Sequence, residues 1–441
     1  MRTLVRNGLV ISLIHEGYHS IKMKYADLLI ENGAFADIRE SIPASAADEV
    51  IDAAGKWVLP GLVNTGASLI AAKLCGGLIA DYPRQNWQGS MLYHRVLPML
   101  RIADGLLTPE EKRDLARWAL ADALAAGTTA VVDLERPGFA DAVSQAAKEL
   151  GVRAYVVSMR TACGFPEAEQ DGRLLCPEPA GGEFAAGAAA DGTVSRLDGL
   201  YSVETTSGDL WRLAAQAAET QPLFLYSGYS RYEESLSRVR YGKSPVAAAG
   251  DAGALTGRTV LLQSVFTDFY DRERIRTAGA SVALSAVSAM QDALPFPAVA
   301  FLRQDINTAL GTGYYGVSML EEMKAAAFGA KLQTGNAAQY QASDAFYAAT
   351  IAGAQALGEP LGRIEPGFKA DLLIVNPARL RPHNYPLINF VYGASPDEIE
   401  TALVGGRTVR TRECAGRDAA FAEAAERAAA RAWAKARETV L

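Results

Sequence analysis

Over the first 60 residues, apolar runs at 4–14, 27–30 and 56–59 are interrupted by Asn-Gly pairs at Asn7-Gly8 and Asn32-Gly33. Both residue types tolerate positive φ, so the pair is the strongest short hairpin signal and the segment reads as β. Residues 368–412 have the same character, with ADLLIVN followed by TALVGGRTVR. Two β-rich ends therefore flank the chain and are expected to pair into one small sandwich.

Between them the pattern alternates. Short apolar runs with β-branched residues recur at 57–63, 128–132, 153–157, 223–226, 259–262, 281–284 and 308–310, with 198–203 as an eighth candidate. Helical periodicity fills the gaps, as at 109–126 and 209–220. Thr108-Pro109-Glu110-Glu111 is a helix start: a cap, then Pro in the first turn, then acids facing the helix dipole. Repeated strand–helix units predict a parallel sheet, and eight of them predict an α/β chain with a (β/α)8, TIM-like barrel. The expected organisation is a β-sandwich from residues 1–60 plus 363–412, a barrel from 61–362 and a C-terminal helix over 413–441. That helix is nearly all Ala, Glu, Arg and Lys, and is expected to pack through Phe421 and Trp433. The Gly/Pro/Ala-rich stretch between Cys163 and Asp198 is expected to be a partly helical loop, with good helix formers at 183–190.

Composition narrows the function classes. A chain of 441 residues with 49% hydrophobic and 21% charged residues builds a sizeable core, which excludes a disordered or disulfide-framed protein. The net charge of −7 argues against a nucleic-acid or anionic-membrane partner. No apolar stretch approaches the ~18 residues of a membrane span. The first twenty residues lack the cleavage site of a signal peptide. Cys75, Cys163, Cys176 and Cys414 form no CxxC pair, which reads as a reduced, cytoplasmic inventory without a thiolate metal site.

The segment WVLPGLVNTGASL at 57–69 resembles the first barrel strand of the amidohydrolase superfamily, in the branch of triazine hydrolase, guanine deaminase and the selenium-metabolism aminohydrolase-like proteins. EESLSRVRYGKSPV, GRTVLLQS, GASVALSAVSAM, ALGTGYYGVSMLEEMK and ATIAGAQALGEPLGRIEPGFKADLLIVN follow in the family's order, so the resemblance covers nearly the whole chain. The resemblance implies metal ligands at strand ends, and this chain departs from it there. The His-x-His of the first strand is Gly66 and Ser68; the ligand His and the proton-shuttling acid of the fifth are Tyr226 and Tyr229. The sixth-strand His is Gln263, the seventh-strand His is Leu284, and the eighth-strand Asp is Gly313. The substrate-contacting His near the fourth strand is Tyr201. Zinc or iron needs three or more imidazole, carboxylate or thiolate ligands, so no metal and no other cofactor is expected. His15, His19, His94 and His383 fall away from strand ends and read as structural or surface residues.

In such a barrel the site is built at the carboxyl ends of the strands. Tyr229, Tyr226 and Glu204 are the expected acid–base residues, since positioned phenols and carboxylates suffice for proton transfer. Tyr201, Gln263, Glu135, Arg160, Ser68, Tyr314 and Asp81 are the expected substrate contacts. Arg160 has a structural alternative, pairing with Glu135 or Glu204. Glu321 and Glu322 read as the charged first turn of a helix, and Asp371 as structural. The expected function is a metal-independent, non-hydrolytic acid–base enzyme acting by cyclisation, dehydration, isomerisation or elimination. A catalytically inactive binding or scaffold protein, and a C–N hydrolase or deaminase as in the family, stay open beside it. The expected partners are a small-molecule substrate and a second copy in a homodimer, with no nucleic acid and no membrane.

Overall fold

The computed structural model describes residues 2–14, 20–75, 96–135, 137–161, 168–170, 173–175, 187–188, 192–203, 205–206 and 208–439. Its centre is a barrel of eight parallel strands: Leu62–Ala67, Thr128–Glu135, Arg153–Arg160, Val194–Leu200, Leu223–Tyr226, Thr259–Leu262, Ser281–Leu284 and Thr308–Leu310. Each pairs with the next in chain order. Backbone bonds link the first strand to the segment after the eighth, Gly313 N–H to Gly66 O and Ser68 N–H to Gly313 O, both at 2.9 Å. Strands buried on both faces need apolar and β-branched residues throughout; every residue of Thr259–Leu262 and of Ser281–Leu284 is buried.

The last four strands keep the bounds that their apolar runs predict. The first does not. Trp57–Pro60 leaves the barrel and pairs antiparallel with Leu372–Val375, and only Leu62–Ala67 enters it. Gly61 is the break: a Cβ there would lie 2.0 Å from Thr129 Oγ1. The fourth strand starts at Val194, upstream of the 198–203 candidate.

The two ends of the chain share a second sheet. Its order is Arg407–Thr411, Ile399–Val404, Leu372–Val375, Trp57–Pro60, Arg2–Ile14, Ser20–Glu31 and Ala34–Arg39, with Glu49–Asp52 beside Arg2–Ile14. It is one continuous hydrogen-bonded path around its own core, which includes Val10, Leu28, Ile30, Phe35, Val58, Leu372 and Leu403. Asn32-Gly33 makes the expected turn, with φ of 52° and 80°. Asn7-Gly8 does not: the strand runs through it as a bulge, the register shifting between Val5 and Gly8. The bulge is anchored by Asn7 N–H on Asp27 Oδ1 and Asn7 Nδ2 on Asp52 Oδ1, both at 2.9 Å.

Two ties position the barrel. Arg153, on the third strand, donates from Nε and Nη2 to the two oxygens of Asp371 at 2.9 and 3.0 Å, and Gly405 N–H adds a third bond at 2.8 Å. The helix Ala415–Thr439 lies on Pro109–Ala125, burying Ala425, Ala428, Ala432 and Ala436, with Trp433 Nε1 on Leu74 O at 2.8 Å. The helix Pro109–Ala125 starts at the expected cap, Thr108, and Glu111 completes a capping box with it. Between Cys163 and Asp198, Ala168–Gln170 pairs with Arg173–Leu175, and Gly187–Ala188 pairs with Val194–Leu200. Helix is therefore not formed at 187–188, and the rest of the 183–190 expectation lies outside the described residues.

Candidate functional site at the carboxyl end of the barrel

The ring of strand ends encloses a small recess lined by Gly66, Leu134, Tyr226, Leu262, Gln263, Ala283, Leu284, Gly311 and Gly313. Its volume is about 10 Å³, close to what one water needs. Tyr226 is half-buried, and its ring meets that of Tyr201 with centroids 5.9 Å apart. Gln263 accepts Ser285 N–H on Oε1 at 3.3 Å.

Tyr229 does not face this recess. Its hydroxyl donates to Asp292 and reaches Ser288 O at 3.3 Å. Tyr314 donates to Asp292 Oδ2 at 2.6 Å and Tyr315 to Asp292 Oδ1 at 2.5 Å. Three phenols thus converge on one carboxylate. Burial, and then the Asp292 charge, hold the Tyr229 phenol well above its usual range. The same is true of Tyr314, where burial again leads and the Tyr229 and Asp292 charges add. Such phenols keep their protons and act as fixed donors. Sequence reading missed Asp292. It closes the short helix Ala286–Gln291 and carries no motif; only the fold brings the three phenols to it.

The remaining candidates sit as follows. Ser68 is buried, and its Oγ donates to Leu134 O at 3.1 Å. Arg160 donates from Nε to Asp198 Oδ1 at 2.7 Å; the side chains of Glu135 and Glu204, the structural partners expected for it, lie outside the described residues. Glu135 ends the second strand, but its side chain, Glu204 and Asp81 lie outside what the structure describes. Glu321 and Glu322 stand in the first turn of the helix Met319–Thr334, as expected, and Glu322 turns inward. It is completely buried, and its carboxylate accepts Ala286 N–H, Val287 N–H at 3.3 Å and Ser285 Oγ at 3.5 Å. Burial pushes its carboxyl up to about 8.

A divalent metal is what the resemblance implies for these strand ends, and the donor set does not fit one. Gly66 and Leu284 offer no donor, and Ser, Tyr and Gln are weak substitutes for imidazole. Gly313 has φ of +63°, and a Cβ there would lie 2.3 Å from Ser288 Oγ, so an acid has no room. Among the described residues no group of three or more His, Cys, Asp or Glu is placed to hold a metal ion. His383 sits edge-on to Trp57, with Nε2 2.9 Å from Pro377 O.

Comparison with known proteins places this geometry among relatives. The profile of the amidohydrolase family matches residues 57–409. A 5-methylthioadenosine/S-adenosylhomocysteine deaminase of Thermococcus onnurineus is 30% identical over 423 residues, covering 93% of this chain and 94% of that protein. A 5'-deoxyadenosine deaminase of Methanothermobacter thermautotrophicus is 29% identical over 398 residues, covering 87% and 89%. In fold, the chain is similar to a zinc-bound adenosine deaminase of Xanthomonas campestris, with TM-score 0.81, 21% identity and 98% of both chains covered. It is likewise similar to the guanine deaminase of E. coli, with TM-score 0.76, 19% identity and coverage of 93% and 99%. These relatives overturn the expectation of a non-hydrolytic acid–base enzyme. Chains that align over some nine-tenths of this one are named deaminases, which supports hydrolysis of a C–N bond.

Proposed function

The chain belongs to the amidohydrolase family, and from that premise we propose that it takes a small molecule of the adenosine type into the mouth of its barrel and removes an exocyclic amino group by hydrolysis. Water adds to the ring carbon as the C–N bond breaks; the products are ammonia and the corresponding oxo heterocycle. The observation that carries the reading is identity near 30% with deaminases of 5'-substituted adenosines over nearly the full length of both chains. Tyr201, Tyr226 and Gln263 are proposed as ligand contacts, because an aromatic pair beside an amide suits a neutral planar ring. Tyr229 and Tyr314 are proposed as fixed donors that shape the wall through Asp292.

One observation favours a second reading, in which the protein binds this ligand class without turning it over. That observation is the donor set at the strand ends, which does not fit a metal ion. The test is incubation with adenosine, 5'-deoxyadenosine, 5-methylthioadenosine, S-adenosylhomocysteine and guanine, with and without added zinc, iron or manganese, following ammonia and bound ligand together. Ammonia release supports the hydrolase. Saturable binding without ammonia supports the binder. No binding and no ammonia across the panel overturns both. On the donor set, chelator is expected to leave the melting temperature unchanged in differential scanning calorimetry.

We also propose a homodimer in the cytoplasm. Phe328 and Leu332 lie one turn apart on the helix Met319–Thr334, and Tyr385 and Ile388 lie on and beside the neighbouring helix Pro386–Gly393. All four are exposed, and an apolar patch of this kind suits a partner surface. Light scattering giving a single-chain mass of 46.9 kDa would remove the dimer. No helix among the described residues is long and apolar enough to cross a membrane.

A further inference from the structure

The sixth barrel strand ends at Leu262, and the next two residues both have positive φ, 71° at Gln263 and 49° at Ser264. Ser264 N–H closes back onto Leu262 O at 3.1 Å, so Gln263 is the centre of a three-residue turn in its strained form. Non-glycine residues persist in such conformations only where their surroundings hold them. Here Gln263 N–H donates to Ala283 O at 2.8 Å and Val265 N–H to Gly228 O at 3.1 Å, while the Ser264 and Ser227 hydroxyls bond to each other.

The turn places Gln263, a residue 7% exposed, in the wall of the recess. Oε1 accepts Ser285 N–H. That bond decides which end of the amide is oxygen, because a backbone N–H cannot donate to an NH₂ group. Nε2 remains, and it makes no hydrogen bond among the described residues. Apart from Tyr226, the rest of the recess wall is glycine, alanine and leucine. A donor without a protein partner beside an apolar wall gains from any acceptor that reaches it and loses against another donor.

The geometry points to Gln263 as a specificity residue that selects an oxo group or a bare ring nitrogen on a neutral planar heterocycle over an amino group in the same place. The recess has room for the exocyclic atom alone, with the ring lying over Tyr226. This rests on the reading that an adenosine-type molecule enters the barrel mouth.

The experiment is titration calorimetry of the full-length protein with inosine and with adenosine, ammonia being assayed in the same samples. Inosine carries an oxo group where adenosine carries an amino group. The native protein is expected to bind inosine tighter by about tenfold, one hydrogen bond's worth. Gln263→Glu keeps an acceptor for Ser285 N–H and puts an acceptor where the donor stood, so the preference reverses. Gln263→Leu removes both groups and brings the ratio near one, which serves if the charged variant does not fold. Equal affinity in the native protein, or an unchanged ratio in either variant, overturns the inference and leaves the adenosine-type reading standing. Binding of neither nucleoside overturns both.

Discussion

At the scale of single residues, the mouth of this barrel is set by side chains that are satisfied by one another. Asp292 accepts three phenols, so each hydroxyl contributes a hydrogen bond to a carboxylate. Tyr229→Phe is expected to lower the unfolding free energy by about 1.5 kcal/mol, measured by urea denaturation. Combined with Asp292→Asn, the loss is expected to be smaller than the sum of the two, because both variants break the same bond. A Tyr229→Phe protein as stable as the native one would show that the cluster carries no stability. Gly313 poses the converse case. Its left-handed backbone and the nearby Ser288 hydroxyl leave no space for the aspartate that the family resemblance implies. Gly313→Asp is expected to destabilise by about 2 kcal/mol or more through backbone strain and the clash, and not to create a metal site. Denaturation with and without zinc checks both parts.

At the scale of elements, Glu322 joins the helix Met319–Thr334 to the start of the helix Ala286–Gln291. An isolated glutamate titrates near 4.5, and burial moves this one up to about 8. Between those values the folded state keeps a proton that the unfolded state has lost, so raising the pH favours unfolding. The contribution is complete below about pH 4.5 and has gone once the pH passes about 8. Glu322→Gln, a mimic of the protonated acid, is expected to flatten that slope. Melting curves of both proteins from pH 5 to 9 are the check, and parallel curves would remove Glu322 as the titrating group. The helix Pro109–Ala125 illustrates the opposite, local kind of control, since Thr108 and Glu111 cap it within four residues.

At the scale of the whole molecule, the buried Arg153–Asp371 pair fastens the barrel to the terminal sheet across 218 positions of chain. Removing one partner of a buried pair strands the other charge. Asp371→Ala is therefore expected to cost about 3–5 kcal/mol. Adding Arg153→Met is expected to recover part of that loss, since an apolar side chain leaves no buried charge. Equilibrium unfolding of the two variants settles it, and a double variant less stable than Asp371→Ala alone would contradict this account of the tie. The C-terminal helix is fastened differently, by a stripe of alanines and the Trp433 bond to Leu74 O.

The sequence by itself determined the alternation of strands and helices, because β-branched apolar runs of four to eight residues, separated by amphipathic stretches, have few other ways to bury themselves. The four strands from Leu223 to Leu310 and the turn at Asn32-Gly33 follow from local pattern alone. The expectation that Tyr226, Gln263 and Leu284 stand where the resemblance implies imidazoles likewise needed only residue identity against a family pattern. Tertiary structure decided what depends on partners distant in the chain. It split 57–63 at Gly61 because Thr129 packs against that backbone, and it made Asn7-Gly8 a bulge because Asp27 and Asp52 hold Asn7 in the strand. It turned Tyr229 away from the recess and made Asp292 and Glu322 matter, through groups 22 to 63 residues away. It also placed Gln263 in the wall of the recess through a strained turn with no sequence signature. Local propensity acts over a few residues, whereas the direction of a buried polar side chain is set by whichever donors and acceptors the fold brings within 3 Å of it.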